Sequence, residues 1–127
     1  PSSLKKKGIT FFTDSSFNQQ VGFMKHKKNK VILPHLHNKV YRKLSTTTEV
    51  IYILDGFLRI DFYNKKKNYL FSKLVKKNSL LILVNGGHGF KVSSDIQMIE
   101  IKQGPYIESK DKEKFLPVNE KNIKIKK

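Results

Sequence analysis

At 127 residues the chain is long enough for one modest hydrophobic core and one domain. The absence of cysteine excludes disulfides and thiolate metal sites, and no apolar run approaches the length of a membrane-spanning helix. With 26 Lys and Arg against 10 Asp and Glu, the formal charge of +16 raises the question of a polyanionic partner.

Three observations weaken that reading. The excess is lysine, accompanied by many Asn and Ile, a set that an A+T-rich coding sequence inflates together. Arg, the residue suited to bidentate phosphate recognition, occurs only as Arg42 and Arg59. The lysine runs at 25–30, 64–68 and 76–77 fall in expected turns, where they keep sheet edges soluble. No basic helix face or aromatic–basic interleaving accompanies them, so nucleic acid is not the expected partner. The start, "PSSLKKKGITFF", has no long apolar segment or small-residue cleavage site behind it. A cytoplasmic location without membrane attachment is therefore the default expectation.

In chain order, "GITFF" (8–12), "VGFMKH" (21–26) and "VILPHLH" (31–37) read as short strands. "EVIYILDG" (49–56) is β-branched and aromatic and ends in Asp55-Gly56, a strong hairpin signal. "FLRIDFYN" (57–64) and "YLFSKLV" (69–75) alternate, with a Lys/Asn turn between them. "SLLILV" (79–84) is a continuous apolar run, "HGFKV" (88–92) resumes after the turn "NGG", and "IQMIEIKQ" (96–103) alternates up to Gly104-Pro105. Arg59, flanked by Leu58 and Ile60, is expected to face solvent. His26 sits in a Lys-rich turn and is expected to be solvated. Beyond Glu108 the chain is charged, with one apolar cluster at Phe115-Leu116, and its last residues read as loose. Strands with turn signals every eight to twelve residues predict a sandwich or closed barrel.

The chemistry sits in "PHLH". On a strand, residues i and i+2 share a face, so His35 and His37 project side by side, with Leu36 opposite. Two imidazoles so placed can converge on a divalent ion at about 2.1 Å, although such pairs also occur as surface or hydrogen-bonded core histidines. Glu49 opens the strongest strand, with the pattern E-x6-G to Gly56, and His88 lies in the glycine-rich "NGGHGF". An acid and three histidines among apolar strands are costly to bury unpaired, and shared coordination of a cation resolves that cost.

These residues resemble the two motifs of the cupin superfamily, G-x5-H-x-H-x3–4-E-x6-G and G-x5-P-x-G-x2-H-x3-N. The first is matched by His35, His37, Glu49 and Gly56 in "HLHNKVYRKLSTTTEVIYILDG", and the second by "NSLLILVNGGHGF" with His88 as its histidine. The resemblance covers about residues 20–104. Eleven residues separate His37 from Glu49, so "NKVYRKLSTTT" is expected to form an extended hairpin that returns Glu49 to the interior. Asn78 and Val84 stand where the second motif has glycine and proline, and the chain is similar to small cupins of bacterial surface-polysaccharide gene clusters.

The resemblance implies an all-β, double-stranded β-helix (a jelly-roll barrel) as one domain over 1–127, with a peripheral C-terminal extension at 108–127. It implies His35, His37, Glu49 and His88 as ligands of a divalent transition metal: Fe, Mn, Ni, Zn and Cu all suit such a set. Gln103, Tyr106 and Glu100, at or near one strand end, are candidate substrate contacts. Glu100 enters the cavity if Ile99 and Ile101 pack outward; otherwise it is a surface carboxylate. The implied activity is that of a metal-dependent sugar isomerase or epimerase acting on a small molecule, in a homodimer. Two alternatives stand beside it: a carbohydrate-sensing cupin without turnover, and a polyanion-binding basic β-protein.

Overall fold

A computed structural model describes residues 7–126. The chain divides into two compact units, Pro1–Ser45 and Thr46–Lys127.

In the first unit, β1 (Gly8–Phe11) pairs antiparallel with β2 (Gly22–Lys25), Ile9 opposite Met24. The connection is held by polar side chains. Asp14 accepts from the Ser16 backbone N–H at 2.9 Å, and the Gln20 amide donates to the carbonyls of Asp14 and Phe17. From residue 26 to residue 48 no strand forms, which corrects two expectations. "VILPHLH" is not a strand: Pro34 has no N–H to give a ladder, and Leu33 and Leu36 are 76% and 94% exposed. "NKVYRKLSTTT" is not a hairpin: its extended-favouring residues meet no partner strand, and propensity without a packed face does not make a sheet.

The second unit holds six strands: β3 (Glu49–Asp55), β4 (Phe57–Tyr63), β5 (Tyr69–Lys76), β6 (Leu80–Leu83), β7 (Gly87–Val92) and β8 (Gln97–Lys102). Each matches an expected strand to within about two residues. They form two antiparallel three-stranded sheets, ordered β6-β3-β8 and β5-β4-β7. The all-β expectation holds, but the sheets do not close into a barrel.

Alternation explains the packing. Ile51 and Ile53 of β3 and Leu58 and Ile60 of β4 are almost wholly buried and meet between the sheets, with Leu83 beside them. Phe62, Val75, Leu81 and Ile96 pack around this cluster. Asp55-Gly56 turns the chain from one sheet into the other. Gly56 has φ +87, and a Cβ built there would lie 2.1 Å from the Asp95 carbonyl oxygen, so the corner admits only glycine.

The outward face of β4 is polar, and it is buried. Arg59 does not face solvent as expected: its guanidinium grips Asp61 (2.9 and 3.0 Å) and Glu120 (2.7 and 2.9 Å). Ser72, opposite Asp61 on β5, donates its hydroxyl to the same carboxylate. Local alternation could not show this, because the cover comes from far along the chain. After α1 (Glu108–Asp111), residues 115–126 run across this face as a strap. Phe115 stands edge-on to Tyr63, and the Val118 N–H donates to the Tyr63 hydroxyl at 3.0 Å. The Ser72 N–H donates to Lys124 O and the Lys126 N–H to Ser72 O, both at 2.8 Å. The residues read as a loose tail are thus tied to β5. Lys91 adds a 3.0 Å ion pair to Glu120.

Two outcomes follow. Gly56→Ala combines left-handed backbone strain with a clash against main chain, and a urea melt should show a loss of about 2 kcal/mol or more. Arg59 and Lys91 hold the Glu120 carboxyl down to about 2, by hydrogen bonds first and charge second. A depressed carboxyl stabilises above its unfolded value, here 4.5, and that contribution fades as pH falls toward about 2. Protection factors for amide exchange at Ser72 and Lys126 should therefore fall across that window in the wild type, and Glu120→Gln should flatten the dependence.

Candidate functional site

Glu49, Ile51 and Ile53 share one face of β3, the face that builds the core. Glu49 therefore enters the space between the sheets at the strand's first residue, and its side chain is only 8% exposed. On the facing sheet, His88 stands opposite Phe62 of β4, on the face that carries Leu58 and Ile60. The two meet: His88 Nε2 lies 2.9 Å from Glu49 Oε2. The approach is close but poorly aligned, so Oε2 accepts no hydrogen bond among the described residues although it is fully covered. A buried carboxylate oxygen left in this state is costly and suits a cation or a proton donor.

β8 supplies the rest of this end. Lys102 pairs with Glu49 and Glu100 with Ile51, so both side chains lie on the inner face. Ile99 and Ile101 point the other way and are about half exposed, and the Glu100 side chain is itself 42% exposed. Glu100 is 3.6 Å from the Lys102 ammonium. Gln103 accepts from the Thr48 N–H at 2.7 Å, just before Glu49. The Tyr106 ring lies under the Lys102 ammonium, 4.7 Å from its centroid. Three residues expected to contact substrate thus border the same end of the sheet as Glu49. Lys102 was not foreseen, and the signal was available: it alternates with Glu100, so one inward residue on β8 implies the other.

His35 and His37 belong to the first unit. Their rings are 5.2 Å apart and nearly perpendicular, so the pair is side by side without a strand to hold it. His35 Nδ1 lies 2.9 Å from Leu33 O. If that nitrogen carries the proton, Nε2 is left with its lone pair outward, the arrangement common for a metal-ligating imidazole. Among the described residues no three His, Asp or Glu side chains stand together in a group able to hold a metal ion. No described helix is long and apolar enough to cross a membrane. A shallow groove lies at the turns beside β4 and β7, lined by Asn64, Lys67, Asn85, Gly86 and Phe115 among others. It contains neither Glu49 nor His88.

No protein-family model, curated protein or solved structure matches the chain.

The Glu49–His88 contact can be measured directly. His88→Ala leaves a covered carboxylate without its neighbour and should destabilise by about 1–3 kcal/mol. Glu49→Gln should cost less, and the double variant should cost less than the sum of the two, giving a coupling of about 1–2 kcal/mol in urea melts.

Proposed function

We propose that the chain is a cupin-type protein whose Glu49 and His88 hold a divalent transition metal for chemistry on a sugar or sugar derivative. The covered, unaligned Oε2 of Glu49 beside His88 Nε2 carries this reading. Two donors bound at about 2.1 Å and at right angles to one ion stand about 3.0 Å apart, which matches their separation as well as a hydrogen bond does. The strand orders add support. Order β6-β3-β8 facing β5-β4-β7, with the chain changing sheets at every connection except β4–β5, matches the order of the last six of a jelly roll's eight strands.

Such an ion polarises a carbonyl or hydroxyl oxygen of the bound molecule. The protein's own part is to hold that molecule at the end of the sheets, with Glu100, Lys102, Gln103 and Tyr106 around it. Isomerisation or epimerisation then needs a group that takes a proton from carbon and returns it. Glu100, on the inner face two residues from Lys102, is placed for that role. In a metal-free protein the Glu49–His88 pair itself supplies the acid and base.

The test is metal analysis followed by titration. The purified protein, loaded in turn with Mn(II), Fe(II), Ni(II), Zn(II) and Cu(II), should retain about one ion per chain. Glu49→Gln and His88→Ala should each weaken binding at least about tenfold. Retention by both variants would end the proposal. A metal-loaded protein that binds sugars without converting them would be the carbohydrate-sensing alternative. Strong nucleic-acid binding at physiological salt without metal retention would favour the polyanion reading.

A further inference from the structure

We infer that Lys102 is the specificity-determining residue of this site and that it selects a ligand carrying a carboxylate, a sugar acid in place of a neutral sugar; the inference rests on the small-molecule reading above. Lys102 pairs with Glu49 across β3–β8, so its side chain leaves the sheet on the face that holds the Glu49–His88 pair. That side chain is only 23% exposed. Its ammonium makes no hydrogen bond among the described residues. The nearest carboxylate oxygen, on Glu100, is at 3.6 Å, beyond hydrogen-bond range, and the Tyr106 ring offers only its face. The stem is largely covered while the ammonium at its tip stays within reach of solvent with three donors to place, and an incoming oxyanion satisfies them better than a ring face does.

The neighbouring charges choose the kind of anion. Glu49 and Glu100 are two carboxylates on the same face. With a divalent ion at Glu49 and His88, the ion and Lys102 supply three positive charges against two carboxylates, which leaves one to balance. A phosphate, carrying about −1.5 to −2, overshoots that balance. A carboxylate matches it. Tyr106, half exposed beside the ammonium, presents a flat apolar face to the C–H side of a sugar ring. The acid group then lies at Lys102 and the ring hydroxyls point toward Glu49 and His88.

The experiment uses the full chain and three probes that differ only at C6: glucose, glucuronate and glucose 6-phosphate. Binding is followed by calorimetry with and without Mn(II), for wild type, Lys102→Met and Lys102→Arg. Wild type should bind glucuronate at least tenfold more tightly than either other probe. Lys102→Met should lose that preference while Mn(II) binding stays unchanged, and Lys102→Arg should keep most of it. Equal binding of glucose and glucuronate, or tighter binding of glucose 6-phosphate, overturns the inference. So does a preference that survives Lys102→Met. The Mn(II) titration reads the underlying metal site separately. Metal retention without acid preference removes only the role of Lys102, whereas loss of both removes the site as well. Unchanged Mn(II) binding in Lys102→Met also serves as the control that the variant is folded.

Discussion

The second unit depends on a change of sheet made within a single dipeptide. Ile51 and Ile53 must reach the space between the sheets from one side, and Leu58 and Ile60 from the other. Only Gly56 separates the two strands. A left-handed residue at the corner lets β4 leave the sheet of β3 and face it, with the Asp95 carbonyl packed against the bend. Two hairpin-related strands thereby become the centres of two layers, each flanked by two more strands. The hydrophobic core is the consequence of that corner, and the polar end follows from the core. Because Ile51 and Ile53 point inward, so must Glu49, two residues earlier on the same face.

At the end of the sandwich the chain thus places groups that an apolar interior tolerates poorly. Glu49 and His88 arrive from opposite sheets and satisfy each other incompletely. Lys102 and Glu100 arrive from β8 without touching at hydrogen-bond distance. The other polar cluster behaves differently. Arg59, Asp61, Ser72 and Glu120 form five short contacts, four of them from the guanidinium, and Lys91 adds a sixth to Glu120. Each cluster has a buried carboxylate, yet one is closed and the other has unspent donors and acceptors. Complete satisfaction marks a structural network, whereas spare hydrogen-bonding capacity marks a place where something else can bind.

How much of this was legible in the sequence depended on whether the deciding contacts were local. The six strands from Glu49 to Lys102 were readable because alternation and turn residues report a half-buried strand directly. The inward position of Glu49 followed from the same alternation once Ile51 and Ile53 were assigned to the core. The strand expected at 31–37 was not found. Its apolar residues have the right propensity, but a strand needs a neighbour, and Pro34 interrupts the ladder. Arg59 failed for the opposite reason. Its flanking Leu58 and Ile60 correctly placed it on the other face, but the strap that buries that face begins more than fifty residues later. His35 and His37 were legible as a pair, because adjacency along the chain alone brings the rings within reach.

The strap also gives this architecture an order in time. Glu120 is 61 residues beyond Arg59, and Lys124 and Lys126 close onto Ser72 from beyond even that. While the chain is being made, β4 and β5 can zip together as soon as both have left the ribosome, since their pairing is local. Their outer surface cannot be completed then. A guanidinium beside one carboxylate waits, open to water, until residues 115–126 emerge. Assembly of this layer therefore waits on that strap, and a chain arrested before residue 120 presents a half-paired cation where the strapped chain presents a closed seam.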